Sequence, residues 1–230
     1  MEMHMETWHG RNGVADVSRR GFPALVAALS LAGCAARSAQ SSSSVATSSD
    51  ESQDASDEAS GPCGSGVHHA TIEAEGYGAM QVSLNASVAP ITVANFAGLV
   101  EQGFYDGLAF HRVVRDFMIQ GGDPAGDSTG GSGTTIKGEF SANGVENSIA
   151  HVRGTLSMAR GQGYDSASSQ FFIVQKGYPS LNGNYAAFGH VTDGMDIVDA
   201  VVDATADKGD SNGLLPQDVQ PRIASIRMAD

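Results

Sequence analysis

Between Val45 and Val67 the chain has no Val, Leu, Ile, Met or aromatic residue, and that gap decides where a fold can form. The stretch around it, residues 35–66, runs through Ser41-Ser42-Ser43-Ser44 into an acidic serine-rich segment with Asp50, Glu51, Asp54, Asp57 and Glu58. Such a sequence cannot bury enough apolar surface to offset its ordering entropy, so a disordered tether is expected. Cys63, in Gly-Pro-Cys-Gly at its end, reads as an exposed thiol. A packed core is confined to residues 67–230, whose 164 residues suffice for one substantial core and carry nine bases against eighteen acids. The whole chain has a net charge of −13 and a pI near 4.7, which argues against sequence-independent binding to nucleic acid. No apolar run approaches the ~20 residues of a membrane span. Two cysteines are too few for a disulfide framework or a four-cysteine zinc site. Glycine, 29 of 230 residues, favours turns and short strands over a helical bundle.

Residues 1–33 read as an export leader. Arg19-Arg20 precede the short apolar run Gly21–Gly33, which meets Cys34. A basic pair, a run too short for a stable transmembrane helix and a small-residue junction make up a secretory signal. Leu31-Ala32-Gly33-Cys34 resembles the lipobox of bacterial lipoproteins, and Ser18-Arg19-Arg20-Gly21-Phe22 resembles the twin-arginine export motif. The resemblance implies lipidation of Cys34, with residues 34–66 as the tether and an extracytoplasmic, membrane-anchored domain beyond it.

Within 67–230 the hydrophobic period sets the elements. His68–Ala74 and Met80–Leu84 alternate as half-buried strands do. Pro90–Val100 has helical spacing, with Pro at its start and Gly103 just past its end. Short strands are expected at Ala109–Val114, Met118–Gln120, Thr155–Ala159, Phe171–Val174, Ala187–Val191 and Arg222–Met228, and a second helix at Met195–Val202. The pattern indicates a mostly β domain, a closed or nearly closed barrel with helices at its ends.

Gly126-Asp127-Ser128-Thr129-Gly130 matches the G-x-S-x-G nucleophile elbow, but Gly131-Ser132-Gly133 follows where that elbow needs a helix. A glycine-rich loop is the better reading. His68 and His69 are adjacent and would point to opposite faces of a strand, while His111, His151 and His190 are scattered. No metal and no cofactor are expected.

Two stretches carry the chemistry. Phe110-His111-Arg112-Val113-Val114-Arg115-Asp116-Phe117-Met118-Ile119-Gln120-Gly121-Gly122-Asp123 is the first. Gly154–Arg160 followed by Ser168-Ser169-Gln170-Phe171-Phe172-Ile173 is the second. On alternating strands Met118 shares a face with Gln120, and Gln170 with Phe172. An amide thus stands beside an apolar residue twice, as suits a pocket that holds an apolar group and hydrogen-bonds a neighbouring backbone. Phe117 needs a bend to join that face. Arg112 supplies donors in fixed geometry and keeps its charge.

These stretches closely resemble the two signature blocks of the cyclophilin family of peptidyl-prolyl isomerases. The likeness extends through Ala187-Phe188-Gly189-His190-Val191 and Gly194-Met195-Asp196-Ile197-Val198, and so covers nearly all of 67–230. It implies a closed eight-stranded antiparallel β-barrel capped by two short helices, and isomerisation of X-Pro bonds without a cofactor. It implies that Arg112 donates to the prolyl nitrogen and Gln120 holds the substrate backbone. Phe117, Met118, Phe172 and Leu181 would grip the proline ring. Ala159, Arg160 and Gly161 would line the neighbouring subsite largely through backbone, and Gln170 and Tyr185 complete the set. Tyr185 stands where many members have histidine, and Ser180 where a tryptophan often precedes the leucine, which argues against cyclosporin-type macrocycles. The loops Asp123–Gly138 and Asp203–Gln217 fall outside the site on this reading. The implied partners are proline-containing segments of exported proteins and a membrane through the lipid. A monomer is expected. The alternative is a module or chaperone that binds proline-containing peptides without catalysis.

Overall fold

The computed structural model describes residues 63–229. The leader, Cys34 and nearly all of the tether lie outside the described residues. Eight strands alternate with two helices: β1 Val67–Ala74, β2 Gly78–Asn85, α1 Pro90–Glu101, β3 Arg112–Val114, β4 Met118–Gly121, β5 Thr155–Met158, β6 Phe171–Val174, β7 Ala187–Asp193, α2 Met195–Thr205 and β8 Ile223–Met228. All pairings are antiparallel, in the order β3-β4-β6-β5-β7-β2-β1-β8.

This order has two ends, so the closed barrel of the sequence reading is met only in part. The fold is a curled sheet with β3 and β8 at its edges. The strand expected over Ala109–Val114 is only partly formed: Ala109 keeps the β3–β4 register in an isolated bridge to Asp123 and also bridges to Arg222 beside β8, so isolated bonds rather than a ladder link the two ends of the sheet. Gly107 N–H donates to the Ile223 carbonyl at 2.8 Å, Ile223 N–H to Leu108 at 2.7 Å and Phe110 N–H to Pro221 at 2.8 Å.

Period-2 alternation gives the sheet two unlike faces. Ile72, Met80, Leu84, Val113, Ile119, Leu156, Phe171, Ile173 and Phe188 enter the main core. There Phe96 of α1 packs its ring against Tyr105, Phe171 and Phe188, with centroids 5.1–5.5 Å apart. Met118, Phe172 and Val174 point the other way and form a second, smaller cluster.

Helix α1 buries Thr92, Val93, Phe96, Ala97, Leu99 and Val100, the stripe expected of a one-sided helix. Ala89 provides no side-chain cap. The buried Glu139 carboxylate accepts the N–H groups of Ile91 (3.0 Å) and Thr92 (2.7 Å) and the Thr92 hydroxyl (2.6 Å), meeting orphan donors that a local cap would meet elsewhere. At the other end Gly103 takes φ +66°, and Phe104 N–H reaches back to the Leu99 carbonyl at 3.0 Å. Helix α2 buries Val198, Val201, Val202 and Thr205.

Cys63 corrects the sequence reading. It is 7% exposed and packs into the main core. The segment after it folds back on the β2–α1 turn, where Gly66 N–H donates to Ser87 Oγ and Ala86 N–H to the Gly66 carbonyl.

Candidate active site

The small outer cluster floors an open groove of about 750 Å³. Cross-strand register builds it. Arg112 pairs with Gln120, Gln120 with Phe172, and Val114 with Met118, so polar and apolar side chains from β3, β4 and β6 stand in two adjacent rows. Met118 is 1%, Phe172 5% and Gln120 8% exposed.

The polar row is a continuous hydrogen-bonded chain. Arg112 Nη1 donates to Gln120 Oε1 at 3.1 Å. Gln120 Nε2 donates to Gln170 Oε1 at 2.8 Å, and Gln170 Nε2 to the Gly130 carbonyl at 2.8 Å. At its other end Arg112 Nε donates to the Asn212 carbonyl at 2.7 Å. Each amide is thereby oriented by its neighbour, and these bonds leave Arg112 Nη2 for a ligand. Burial pulls the Arg112 pKa down from its ordinary value, opposed by the fields of Tyr185 and Asp210. None of the ion pairs among the described residues includes Arg112, so its charge is held by neutral acceptors and stays available.

The apolar row has its own support. The bend that Phe117 requires is supplied at Asp116, which adopts φ +60° while its N–H donates to Gln175 Oε1 at 2.8 Å. Phe117 then packs against Tyr178, with centroids 4.6 Å apart, and lies under the Arg112 guanidinium. Phe172 meets Tyr185 edge-on at 6.0 Å and stacks on His151 at 6.0 Å. His151 is fixed behind it by Ser157 Oγ and Asn182 Oδ1, both at 3.0 Å. Burial lowers the His151 pKa against the opposing bond to Asn182. Leu181 sits in the short turn Pro179–Leu181 at the cluster's rim.

All eleven residues singled out in the domain line this groove: Arg112, Phe117, Met118, Gln120, Ala159, Arg160, Gly161, Gln170, Phe172, Leu181 and Tyr185. Arg160 does more than expose backbone. Its guanidinium lies 4.8 Å from the Tyr185 ring centre and 5.2 Å from those of Phe140 and Tyr164, tying Tyr185 of the groove wall to two rings behind it.

The two loops set aside on sequence are corrected: both line the groove. Asp127, Ser128, Thr129 and Gly130 come from the first, Asp210, Asn212 and Leu214 from the second. The first is shaped by the buried Asp123, whose carboxylate accepts Ala125 N–H at 2.8 Å and Asp127 N–H at 3.1 Å. Asp-Pro-Ala-Gly was a turn signal that could have been followed. The Asn212 contact runs through a backbone carbonyl and has no side-chain signature. Ser128 lies in this loop at φ +73°, with no helix after it, as the rejection of a nucleophile elbow requires.

Residues 69–225 match the family described as cyclophilin type peptidyl-prolyl cis-trans isomerase/CLD. Among curated relatives, peptidyl-prolyl cis-trans isomerase B of Bacillus subtilis is 49% identical over 117 residues, covering 51% of this chain and 78% of that one. Peptidyl-prolyl cis-trans isomerase-like 1 of Neurospora crassa is 38% identical over 147 residues, covering 64% and 88%. A crystal structure of a Cryptosporidium parvum cyclophilin type peptidyl-prolyl cis-trans isomerase, determined in the presence of the dipeptide Ala-Pro, superposes with a TM-score of 0.62 at 29% identity, over 70% of this chain and 99% of that one. A match that spans most of the described domain and contains the whole groove admits one assignment: the chain belongs to the cyclophilin-type peptidyl-prolyl cis-trans isomerase family.

Proposed function

We propose that the groove isomerises X-Pro bonds in exported proteins, and that Arg112 is its catalytic residue. The observation that carries this reading is the placement of a charged, multiply held guanidinium beside the apolar cluster of Phe117, Met118, Phe172 and Leu181 in the groove. Rotation about a peptide bond has a barrier of ~18–20 kcal/mol because resonance shares the nitrogen lone pair with the carbonyl. Unaided X-Pro exchange takes roughly tens to hundreds of seconds. Reaching milliseconds needs about a 10⁵-fold gain, or about 7 kcal/mol of transition-state stabilisation. As the bond twists, the lone pair localises on the prolyl nitrogen and becomes an acceptor. A donor fixed beside it binds the twisted state better than either planar state. Phe117, Met118, Phe172 and Leu181 hold the ring, Gln120 and Gln170 the backbone beside it, and Ala159–Gly161 the preceding residue. The Ala-Pro dipeptide present with the Cryptosporidium relative supports a proline ligand here.

The same proposal places the domain outside the cytoplasm on a lipidated Cys34. One acyl chain holds a protein to a membrane only marginally and two hold it firmly, so a diacylglyceryl group is a sufficient anchor. Cys34→Ala should abolish lipid labelling and membrane retention, and unchanged membrane partition would refute the anchor.

The catalytic reading is tested by NMR exchange of an Ala-Pro or Phe-Pro tetrapeptide with the purified chain and its Arg112→Ala variant. The expected loss on removing the donor is about 10²–10³-fold. Peptide binding by both without acceleration would make the groove a peptide-capturing module.

A further inference from the structure

The Asn212 carbonyl reaches Arg112 because of a turn built outside the strands of the site. Asp210 Oδ1 accepts the N–H groups of Asn212 at 2.8 Å and Leu214 at 2.9 Å. Asp210 N–H donates to the Leu214 carbonyl at 3.0 Å, and Gly213 N–H to the Asp210 carbonyl at 2.9 Å. One carboxylate oxygen thus gathers a five-residue turn. The turn is fastened to the strand that carries the arginine, on both sides of it: Val113 N–H donates to the Gly213 carbonyl and Leu215 N–H to the His111 carbonyl, each at 2.8 Å. Gly213 lies so close that a Cβ there would meet Val114 Cγ2 and the Val113 carbonyl, and it holds φ +82°. Between these two fastenings stands the Asn212 carbonyl, 2.7 Å from Arg112 Nε.

We propose that Asp210 is a positioning residue for isomerisation: its carboxylate folds the 210–214 turn, and the turn's Asn212 carbonyl fixes the guanidinium so that its free end meets the prolyl nitrogen. An arginine side chain has many rotamers, and few would aim a donor at the reacting atom. Held only by Gln120 at Nη1, the guanidinium could swing about that single bond. Held also at Nε, its plane is set. Asp210 itself is exposed and has no role in the core, so its loss acts on the turn. This inference rests on the isomerase reading above.

The test compares peptide exchange at limiting and saturating peptide for the purified wild-type chain, Asp210→Ala, Asp210→Asn and Arg112→Ala, together with the ¹⁵N–¹H signal of Arg112 Nε. In Asp210→Ala the turn loses its acceptor. The expected result is a kcat about tenfold lower, a KM within about twofold, and faster solvent exchange of the Arg112 Nε–H. Asparagine keeps the acceptor oxygen and discards the charge, so Asp210→Asn should return kcat to within about threefold of wild type and restore the Nε–H protection. Wild-type kcat and protection in Asp210→Ala would overturn the proposal. So would an Asn variant as impaired as the Ala variant, because the charge and not the turn would then be acting. If Asp210→Ala does not fold, Asp210→Ser replaces it. Its hydroxyl can accept one of the two bonds, an intermediate kcat is expected, and a full wild-type kcat overturns the role. Arg112→Ala separates the two readings: wild-type rates there refute the isomerase mechanism, whereas an inactive Arg112→Ala beside a fully active Asp210→Ala refutes only the positioning role.

Discussion

Phe171 and Phe172 are successive residues of one strand and serve opposite faces of it. Phe171 is fully buried among Phe96, Tyr105 and Phe110. Phe172, also buried, lies over His151 and beside Tyr185 at the floor of the groove. The inner face of β3, β4 and β6 is Val113, Ile119, Phe171 and Ile173, apolar throughout. The outer face interleaves Met118, Phe172 and Val174 with Arg112 and Gln120, whose polar groups are satisfied in series. Stability can be concentrated on the first face because nothing there must meet a ligand. The second keeps a charge and a hollow, which a fold optimised for packing alone would fill.

The sharpest way to break this division is a pair of truncations. Phe171→Ala should cost about 3–5 kcal/mol of unfolding free energy, from lost transfer energy plus the cavity left behind. Phe172→Ala should cost clearly less and act chiefly on peptide affinity, because the groove beside it is already open. Urea unfolding and a peptide titration read both. Equal stability losses would mean that the outer cluster is ordinary core.

Gln120→Ala probes the outer face's polar chain at its centre. It removes the acceptor of Arg112 Nη1 and the donor to Gln170 Oε1 together. With a hydrogen bond to a charged group worth about 1.5–3 kcal/mol, exchange catalysis should fall at least about tenfold. Thermal stability should move little, since solvent in the groove can reach the groups left behind. A large drop in melting temperature with undiminished kcat would reverse the assignment of roles to the two faces.

This division was legible in the sequence because it follows from a period of two. Alternation alone put Met118 with Gln120 and Gln170 with Phe172, and the demand for a bend before Phe117 is answered by Asp116 at φ +60°. What escaped is what alternation does not encode. Glu139 caps a helix 47 residues away through the chain, and no local rule announces so distant a partner. Asn212 enters the site through its carbonyl, an atom every residue has. The edges of the sheet meet only through isolated bonds between Gly107–Phe110 and Pro221–Ile223, segments too short to show a period, so the expected closure is only partial. Cys63 enters the core where the segment after it is bonded back at Gly66, although no large apolar residue flanks it in sequence.

The two buried histidines test the same contrast through pH. His111, one residue from Arg112 and facing inward, is fully buried, and neither ring nitrogen makes a hydrogen bond among the described residues. Desolvation lowers its pKa, with Asp123, the nearby Ala109 carbonyl and Asp127 opposing and Arg112 assisting. His151, behind the groove, has two partners. For both, the folded pKa lies below the unfolded value of about 6.5, so below that pH the unfolded chain binds more protons and stability falls. Each contributes a slope of up to about 1.4 kcal/mol per pH unit until its folded pKa is reached, and nothing above neutrality. Unfolding curves between pH 7.5 and 5 should show this decline. His111→Leu should flatten it, and an unchanged slope would show that His111 is protonated without penalty.

The smallest effect belongs to Ser128, on the outer rim. A non-glycine residue held in the left-handed region costs roughly 1–2 kcal/mol relative to the right-handed one, and at φ +73° Ser128 bears that strain in an exposed loop. Glycine relieves it and gives part of the gain back through the entropy of the unfolded chain. Ser128→Gly should therefore stabilise the protein by under about 1 kcal/mol, and isomerisation should stay within about twofold of wild type. Ser128→Ala keeps the strain and removes the hydroxyl. Its exchange rate should match wild type, and neither protein should react with a fluorophosphonate probe. Labelling of Ser128 would give this rim a nucleophile and return hydrolysis to consideration. Stabilisation by glycine without labelling would leave the loop as a flexible wall, strained where the outer face can tolerate strain and the inner face could not.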